Sequence, residues 1–350
     1  MNIVEKIESY LNTYMVFADE DQPLACALWA LHTWTFGEGF AESPFTTPYL
    51  YINSVDPQSG KTTLIDLLES ISLNPERTID MTSSVMFRLI EKRRPALFID
   101  EIDAISGAKM ELLRGVLDGG YRRGGYVWRN APGPDGPEPT QFKTFCAKLL
   151  AGLDSVPLHP AVATRSLYVN LRKVGTLNGE GQIVAPDGTT REICYAYMIE
   201  EAAEPLQREI AAFMANWTAH YKRYIPKPIP GINPRSWEIA MPLVQLAAAV
   251  GIEDRARDAL ARMFAPRAPE DTPAVKALRT IQGLYGSLGA DKLHTSDICE
   301  ALGDGWNGRL LGTRVLQPFK IGTPTPLAIG NRTARALYRH QFDDAFKRHL

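Results

Sequence analysis

Residues 52 to 70 read INSVDPQSGKTTLIDLLES, and this stretch limits the fold more than any other. An apolar, β-rich run, YLYINS, leads into Gly60-Lys61-Thr62, and a helical pattern, KTTLIDLLESISL, leads out. Strand before and helix after is the context in which consecutive backbone N–H groups curl around a phosphate at a helix N-terminus. Lys61 can then reach the β and γ oxygens, and the Thr62 hydroxyl can hold Mg²⁺. One position departs from G-x-x-x-x-G-K-[ST]: Val55 stands where the first glycine belongs. That glycine permits a tight turn out of the strand, and Asp56-Pro57 can make the turn through proline's fixed φ. Gln58, Ser59 and Thr63 complete the candidate cradle. The competing reading is an ordinary strand–turn–helix.

A second motif bears on that choice. RPALFIDEID is an apolar strand pattern ending in Asp100-Glu101, and Asp100 follows Lys61 by 39 residues. At such a strand tip the first carboxylate can coordinate Mg²⁺, directly or through water, and the second can polarise an attacking water. Asp103 reads as a helix N-cap. Together the motifs point to ATP and Mg²⁺ as ligands. The paired carboxylates favour hydrolysis over transfer to a small-molecule acceptor.

Helical and strand patterns alternate through the first half, which predicts an α/β fold with a mostly parallel sheet. Residues 1–45 read as an N-terminal helical segment and 46–175 as the nucleotide-binding core. Within the core, YLYINS, RPALFIDEID, TFCAKLLAGL and RSLYVNLR are strands, and APGPDGPEP is a loop. Residues 176–265 read as a hairpin, NGEGQIVAPDGTTREI, followed by a helical lid. The linker APRAPEDTPA introduces a small C-terminal segment, 266–350.

Other residues are candidates with alternatives. Arg165, just before RSLYVNL, can serve as a finger into a neighbouring subunit's site or form a surface salt bridge. Arg235, in INPRSWEIAM, can be a lid sensor for the γ-phosphate or an exposed arginine at a helix start. Asp154, after the third apolar strand, can monitor the γ-phosphate or orient water. GGYRRGGYVWRN reads as a turn or mobile hairpin. Its Tyr121, Arg122, Arg123 and Trp128 suit phosphate contacts and base stacking. The same arginines could instead act on nucleotide across a subunit interface, or the segment could be a plain sheet-edge hairpin.

The 350 residues carry 38 Lys and Arg against 40 Asp and Glu, so no bulk positive field announces nucleic acid, though a local strip can suffice. The four cysteines, Cys26, Cys146, Cys194 and Cys299, include no C-x-x-C pair, which argues against a zinc site or disulfide framework. The N-terminus lacks a signal-peptide pattern and no apolar run reaches membrane-spanning length, so a cytoplasmic setting in a bacterial host, with no membrane partner, is expected.

ALWALHTW, SGKTTL, LFIDEID, GGYRRGGYVWR, KLLAGLDSVP and TRSLYVNLR occur in this order, followed by PRSWEIAMPLVQLAAAVG and GTRVLQPFKIG. This set resembles an uncharacterised ATPase family of phages, plasmids and other mobile elements, often attached to primase-like or replication modules. That family is similar to the ring-forming AAA+ ATPases, which include replicative helicases and helicase loaders. The resemblance implies a homo-oligomer, with a hexamer as the candidate ring, Arg165 acting in trans, and a winged-helix-like DNA-binding tail over residues 270–350. It also implies single- or double-stranded DNA as a partner. The chain has no primase module, so any primase or replication protein would be a separate partner. A nucleotide-dependent protein switch or scaffold that never translocates on DNA is the alternative.

Overall fold

The computed structural model describes residues 1–350 except 38–43, 55–58, 80, 106, 134–135, 154–157, 172–174, 186–187, 222–223, 266–272, 304 and 350. The chain divides into two compact units, Met1–Ala265 and Pro266–Leu350.

The first unit opens with helices α1 (Ile3–Tyr14) and α2 (Asp21–Thr33). Asn2 and Glu5 start α1 with reciprocal side-chain-to-backbone hydrogen bonds, a capping box. Strand β1 (Tyr49–Ser54) leads to α3 (Lys61–Ile71), then β2 (Pro75–Thr78), α4 (Ser83–Arg93) and β3 (Ala96–Ile99). Helix α5 (Gly107–Gly119) precedes a hairpin of β4 (Tyr126–Gly133) and β5 (Gly136–Lys143). Strand β6 (Lys148–Leu153), a one-turn helix α6 (Pro160–Ala163) and β7 (Ser166–Leu171) complete the sheet-forming part. A short meander follows: β8 (Thr176–Leu177), β9 (Ile183–Val184) and β10 (Thr190–Arg191). Helices α7 (Ala196–Tyr221), α8 (Pro234–Ala249) and α9 (Glu253–Phe264) close the unit.

The main sheet has five parallel strands in the order β2-β3-β6-β1-β7. All of β1 and β3 is buried, as expected for strands covered on both faces. The side chains divide with period two. Leu50, Ile52, Phe98, Leu149 and Ala151 enter a core shared with α1, α2, α3, α7, α8 and α9. Tyr49, Tyr51, Leu97, Ile99 and Leu150 enter a second core with α4 and α5. The N-terminal helices and the helices after residue 195 therefore cover the same face.

Two sequence expectations change here. APGPDGPEP, expected as a loop, supplies the distal parts of β4 and β5, whose antiparallel register runs from Tyr126–Lys143 to Gly133–Gly136. A two-stranded ribbon at the sheet margin tolerates proline because half its backbone donors face away from a partner. Strand β2, PERT, has no periodic apolar signal and was not foreseen; it is an edge strand held by β3 alone.

The second unit contains α10 (Pro273–Leu288), β11 (Lys292–His294), α11 (Thr295–Leu302), α12 (Gly308–Leu311), β12 (Thr325–Ile329), β13 (Arg332–Tyr338) and α13 (Asp343–His349). Its antiparallel sheet runs β11-β13-β12. Leu278, Ile281, Tyr285, Ile298, Leu311, Leu337 and Phe342 form its own core. Among the described residues, no helix is long and apolar enough to cross a membrane.

Candidate functional site

The candidate residues separate onto the two ends of the parallel sheet. At the carboxyl end, Ser54 closes β1 and Lys61 begins α3. Gly60 between them takes φ 85°, a left-handed conformation that glycine adopts without steric cost. The first hydrogen bond into α3 is from Leu64 N–H to the Gly60 carbonyl, 3.0 Å, so the amides of Lys61, Thr62 and Thr63 precede the helical ladder. Among the described residues no side chain caps them. Ser59 is 1% exposed, and its hydroxyl has no hydrogen-bond partner among the described residues. Lys61 folds back so that Nζ donates to Ser54 Oγ at 2.9 Å. Thr62 is exposed. Amides ahead of the helical ladder, a buried hydroxyl unpartnered among the described residues and a lysine at one helix start fit a bound phosphate.

Asp100 and Glu101 follow β3, two strands from β1 in the sheet. Asp100 Oδ1 accepts the Glu101 backbone N–H at 3.0 Å, and Oδ2 accepts from Arg77 Nη2 at 2.8 Å. Arg77, on β2, also donates through Nη1 to Asp66 of α3 at 2.5 Å. One guanidinium thus spans the distance between α3 and the tip of β3. Glu101 is exposed and sits at φ 55°, left-handed backbone unusual for a residue with a side chain. Gly152 of β6 makes room for the turn that follows. A Cβ there would lie 2.9 Å from Asp103 Oδ1 and 3.2 Å from Ile102 Cγ2. Asp103 lies in the short 3₁₀ turn Ile102–Ala104, one residue inside it rather than at its N-cap, which is Glu101. Asp56, Pro57, Gln58 and Asp154 lie outside the described residues.

The arginines lie at the other end. Arg165 immediately precedes Ser166, which is in register with Tyr49, the first residue of β1. A six-residue strand spans roughly 17 Å, so Arg165 is that far from Lys61's end of the sheet. Its Nη1 donates to Asp118 Oδ1 at 3.0 Å and to the Ala161 carbonyl at 2.7 Å, and the residue is 9% exposed. Its guanidinium lies 4.5 Å from the centroid of the Tyr121 ring. Arg235 approaches the same ring at 5.7 Å. Arg235, read as a lid sensor or as an exposed arginine at a helix start, is exposed in the first turn of α8, which Asn233 caps, and stands beside Arg165 on the Tyr121 ring. Tyr121, expected as a base-stacking residue, is 7% exposed and its ring is packed by these two arginines.

The segment GGYRRGG is a knot rather than a free hairpin tip. Thr47 N–H donates to the Tyr121 carbonyl and Arg123 N–H to the Phe45 carbonyl, both at 2.8 Å. Arg122 pairs with Glu238 of α8 at 3.0 Å, and Arg123 stacks on the Phe45 ring at 4.7 Å. The glycines are there for close approach: a Cβ on Gly125 would lie 2.0 Å from the Gly119 carbonyl oxygen, and one on Gly120 2.4 Å from that of Val116. Lys148, fully buried, ties the knot's base by donating to the carbonyls of Gly120, Thr144 and Cys146 at 2.9–3.2 Å. Burial depresses its pKa, opposed by the nearby Cys146. The hairpin proper is β4–β5. Its inner face packs Phe142 on Phe87 of α4, ring centroids 4.6 Å apart. Trp128, 62% exposed, projects from the other face together with Tyr126.

Sequence reasoning missed Arg77, Asp118 and Glu238. Each acts through a partner distant in the chain, and nothing local marks them.

Residues 194–349 match the profile of a family described as a protein of unknown function, DUF3631. No curated protein matches. Among solved structures, the chain is similar to the A form of the apo C-terminal region of NrS-1, at 13% identity, with 96% of this chain and 75% of that one covered and a TM-score of 0.43. A second apo structure of the NrS-1 C-terminal region, residues 305–718, aligns at 12% identity with the same coverages and a TM-score of 0.40.

Proposed function

We propose that this chain is a Mg²⁺-dependent ATPase of AAA+-like organisation that works as an oligomer on nucleic acid, in the replication of phage or mobile-element DNA. The observation that carries this reading is the Arg77 bridge. It sets Asp100 within one guanidinium of α3, the helix that starts at Lys61. The strand order supports it too, since β6 lies between β1 and β3 and the Lys61 helix start and Asp100 both follow carboxyl ends of parallel strands, where ligands of such sheets bind.

In this reading Lys61 and the amides of Gly60 to Thr63 bind the phosphates, and Ser59 supplies a further hydroxyl. Thr62 and Asp100 would hold Mg²⁺, which when bound would offset charge on the phosphates. Glu101, free of the helix and exposed, orients and deprotonates the attacking water. Arg165 and Arg235, side by side on Tyr121 and remote from this chain's own phosphate loop, serve a neighbouring subunit's site. Arg165 must leave Asp118 to do so.

Two surfaces suit nucleic acid. The outer face of β4–β5 offers Trp128 and Tyr126, with Lys143 opposite Tyr126. The second unit carries twelve Lys and Arg against eight Asp and Glu, opposite in sign to the whole chain. Its helix–strand–helix–helix–strand–strand order, followed by α13, supports a winged-helix-like reading, and Arg309, Arg314, Lys320, Arg332 and Arg335 are exposed.

Steady-state ATPase activity of the purified protein, with and without single-stranded DNA over a salt series, tests the proposal. We expect Mg²⁺-dependent hydrolysis that DNA stimulates and salt suppresses, because phosphate contacts release counterions. We expect Arg165→Ala to be inactive alone and partly restored by mixing with a Lys61→Ala chain. Absence of hydrolysis would overturn the ATPase reading. Robust hydrolysis indifferent to DNA would replace the nucleic-acid motor with a protein-remodelling switch.

A further inference from the structure

Arg77 has three carboxylate partners: Asp66 at 2.5 Å, Asp100 at 2.8 Å and Glu69 at 3.6 Å. Asp66 follows Thr62 by four residues on α3, so the two share one helix face a single turn apart. The guanidinium therefore lies between that face and Asp100, beside the place where Thr62 and Asp100 can share a cation. It is well enclosed, with the Arg77 side chain 25% exposed and that of Asp100 17%. Burial alone would pull the pKa of Arg77 down, but the hydrogen bonds to Asp100 and Asp66 outweigh it, and the net shift is upward. Arg77 is thus a permanent positive charge.

We propose that Arg77 is a positioning residue that controls metal entry: it aims Asp100 and, as a fixed cation beside it, keeps free divalent ions from binding ahead of nucleotide. The inference rests on reading Asp100 as the metal-binding carboxylate. Without Arg77, Asp66, Glu69 and Asp100 would lose the one guanidinium that offsets all three. With Arg77, a bare metal ion meets like charge. Even at the dielectric of bulk water, a divalent cation about 6 Å from a unit positive charge is disfavoured roughly tenfold. Nucleotide phosphates bring negative charge of their own, so a metal–nucleotide complex does not meet that barrier.

The test uses Mn²⁺ as the probe, followed by the loss of its free-ion electron paramagnetic resonance signal on the full chain without nucleotide. Arg77→Gln should tighten Mn²⁺ binding about tenfold. Arg77→Lys, which keeps the charge, should stay close to the original affinity. Adding Asp100→Asn to Arg77→Gln should abolish the gain. An Arg77→Gln affinity indistinguishable from the original would overturn the proposal. A gain that survives Asp100→Asn would also overturn it, because the ion would then bind elsewhere. The underlying site is tested separately, by binding of Mn²⁺ with a non-hydrolysable ATP analogue. If Asp100→Asn leaves that binding intact, the metal-site reading itself is wrong. Should Arg77→Gln not fold, side-chain ¹⁵N spectra of the unaltered protein decide. The restricted Arg77 guanidinium signals should shift with metal and analogue together but not with metal alone. Equal shifts with metal alone would refute the proposal.

Discussion

The two ends of the parallel sheet are built on opposite principles. At the carboxyl end, polar groups are presented: amides ahead of the α3 ladder, a buried Ser59 hydroxyl without a partner among the described residues, an exposed Thr62 and an exposed Glu101. At the amino end, polar groups are consumed within the fold. Lys148 satisfies three carbonyls, Arg165 is bound to Asp118 and Ala161, and Thr47 joins the Tyr121 loop to His32. The same side-chain types therefore mean different things at the two ends. Lys61, beside a helix start, is partly exposed and reaches only Ser54 among the described residues, whereas Lys148, under a loop, is buried and holds the loop closed. An arginine shielded by its own chain acts on a neighbour only after releasing an internal partner.

The comparison predicts that damage at the carboxyl end affects chemistry and leaves the fold, while damage at the amino end affects the fold first. The largest effect expected is on Glu101→Gln. Hydrolysis should fall by about 10²–10⁴, the range of a lost general base, with nucleotide binding and melting temperature retained. Unchanged turnover would remove Glu101 from the mechanism.

Gly125→Ala sharpens the other side. Its added Cβ would meet the Gly119 carbonyl oxygen at 2.0 Å, a clash with backbone that no rotamer relieves. A loss of about 3 kcal/mol in denaturant unfolding is expected. A neutral result would mean that the 119–125 knot yields easily and that its glycines serve motion.

The smallest effect is a pH dependence. His32 is fully buried, its Nε2 2.9 Å from Thr47 Oγ1, and burial pushes its pKa down from 6.5 to about 3. The native state therefore stays neutral where the unfolded chain takes up a proton. There is no cost above pH 6.5, and stability is lost as pH falls from there toward 3. The loss should reach about 2 kcal/mol at pH 5. The slope of stability against pH between 7 and 5 should be shallower in His32→Gln. Equal slopes would assign the acid sensitivity to other groups.

Legibility from sequence followed the range of the interaction. The four apolar strands, the helix after Gly60 and the carboxylates after ALFI could be read because period-two burial and glycine's left-handed φ are local. The edge strand at 75–78 could not, since its partner β3 creates it and its own residues carry no apolar alternation. GGYRRGG was legible as unusual but misleading in kind. Paired glycines suit a mobile tip and a tight crossing equally, and only the Thr144, Gly119 and Lys148 atoms packed against them distinguish the two.

By itself, then, the sequence determined an α/β chain with a helix start at Lys61 behind a glycine and acidic residues at a strand tip. Those features depend on neighbours within a few residues. Tertiary structure alone decided that Arg77 joins Asp66 to Asp100, that Arg165 and Arg235 share Tyr121, and that both stand at the end of the sheet remote from Lys61. Strand order sets those pairings, and strand order is a property of the packed sheet. No stretch of the chain carries it locally.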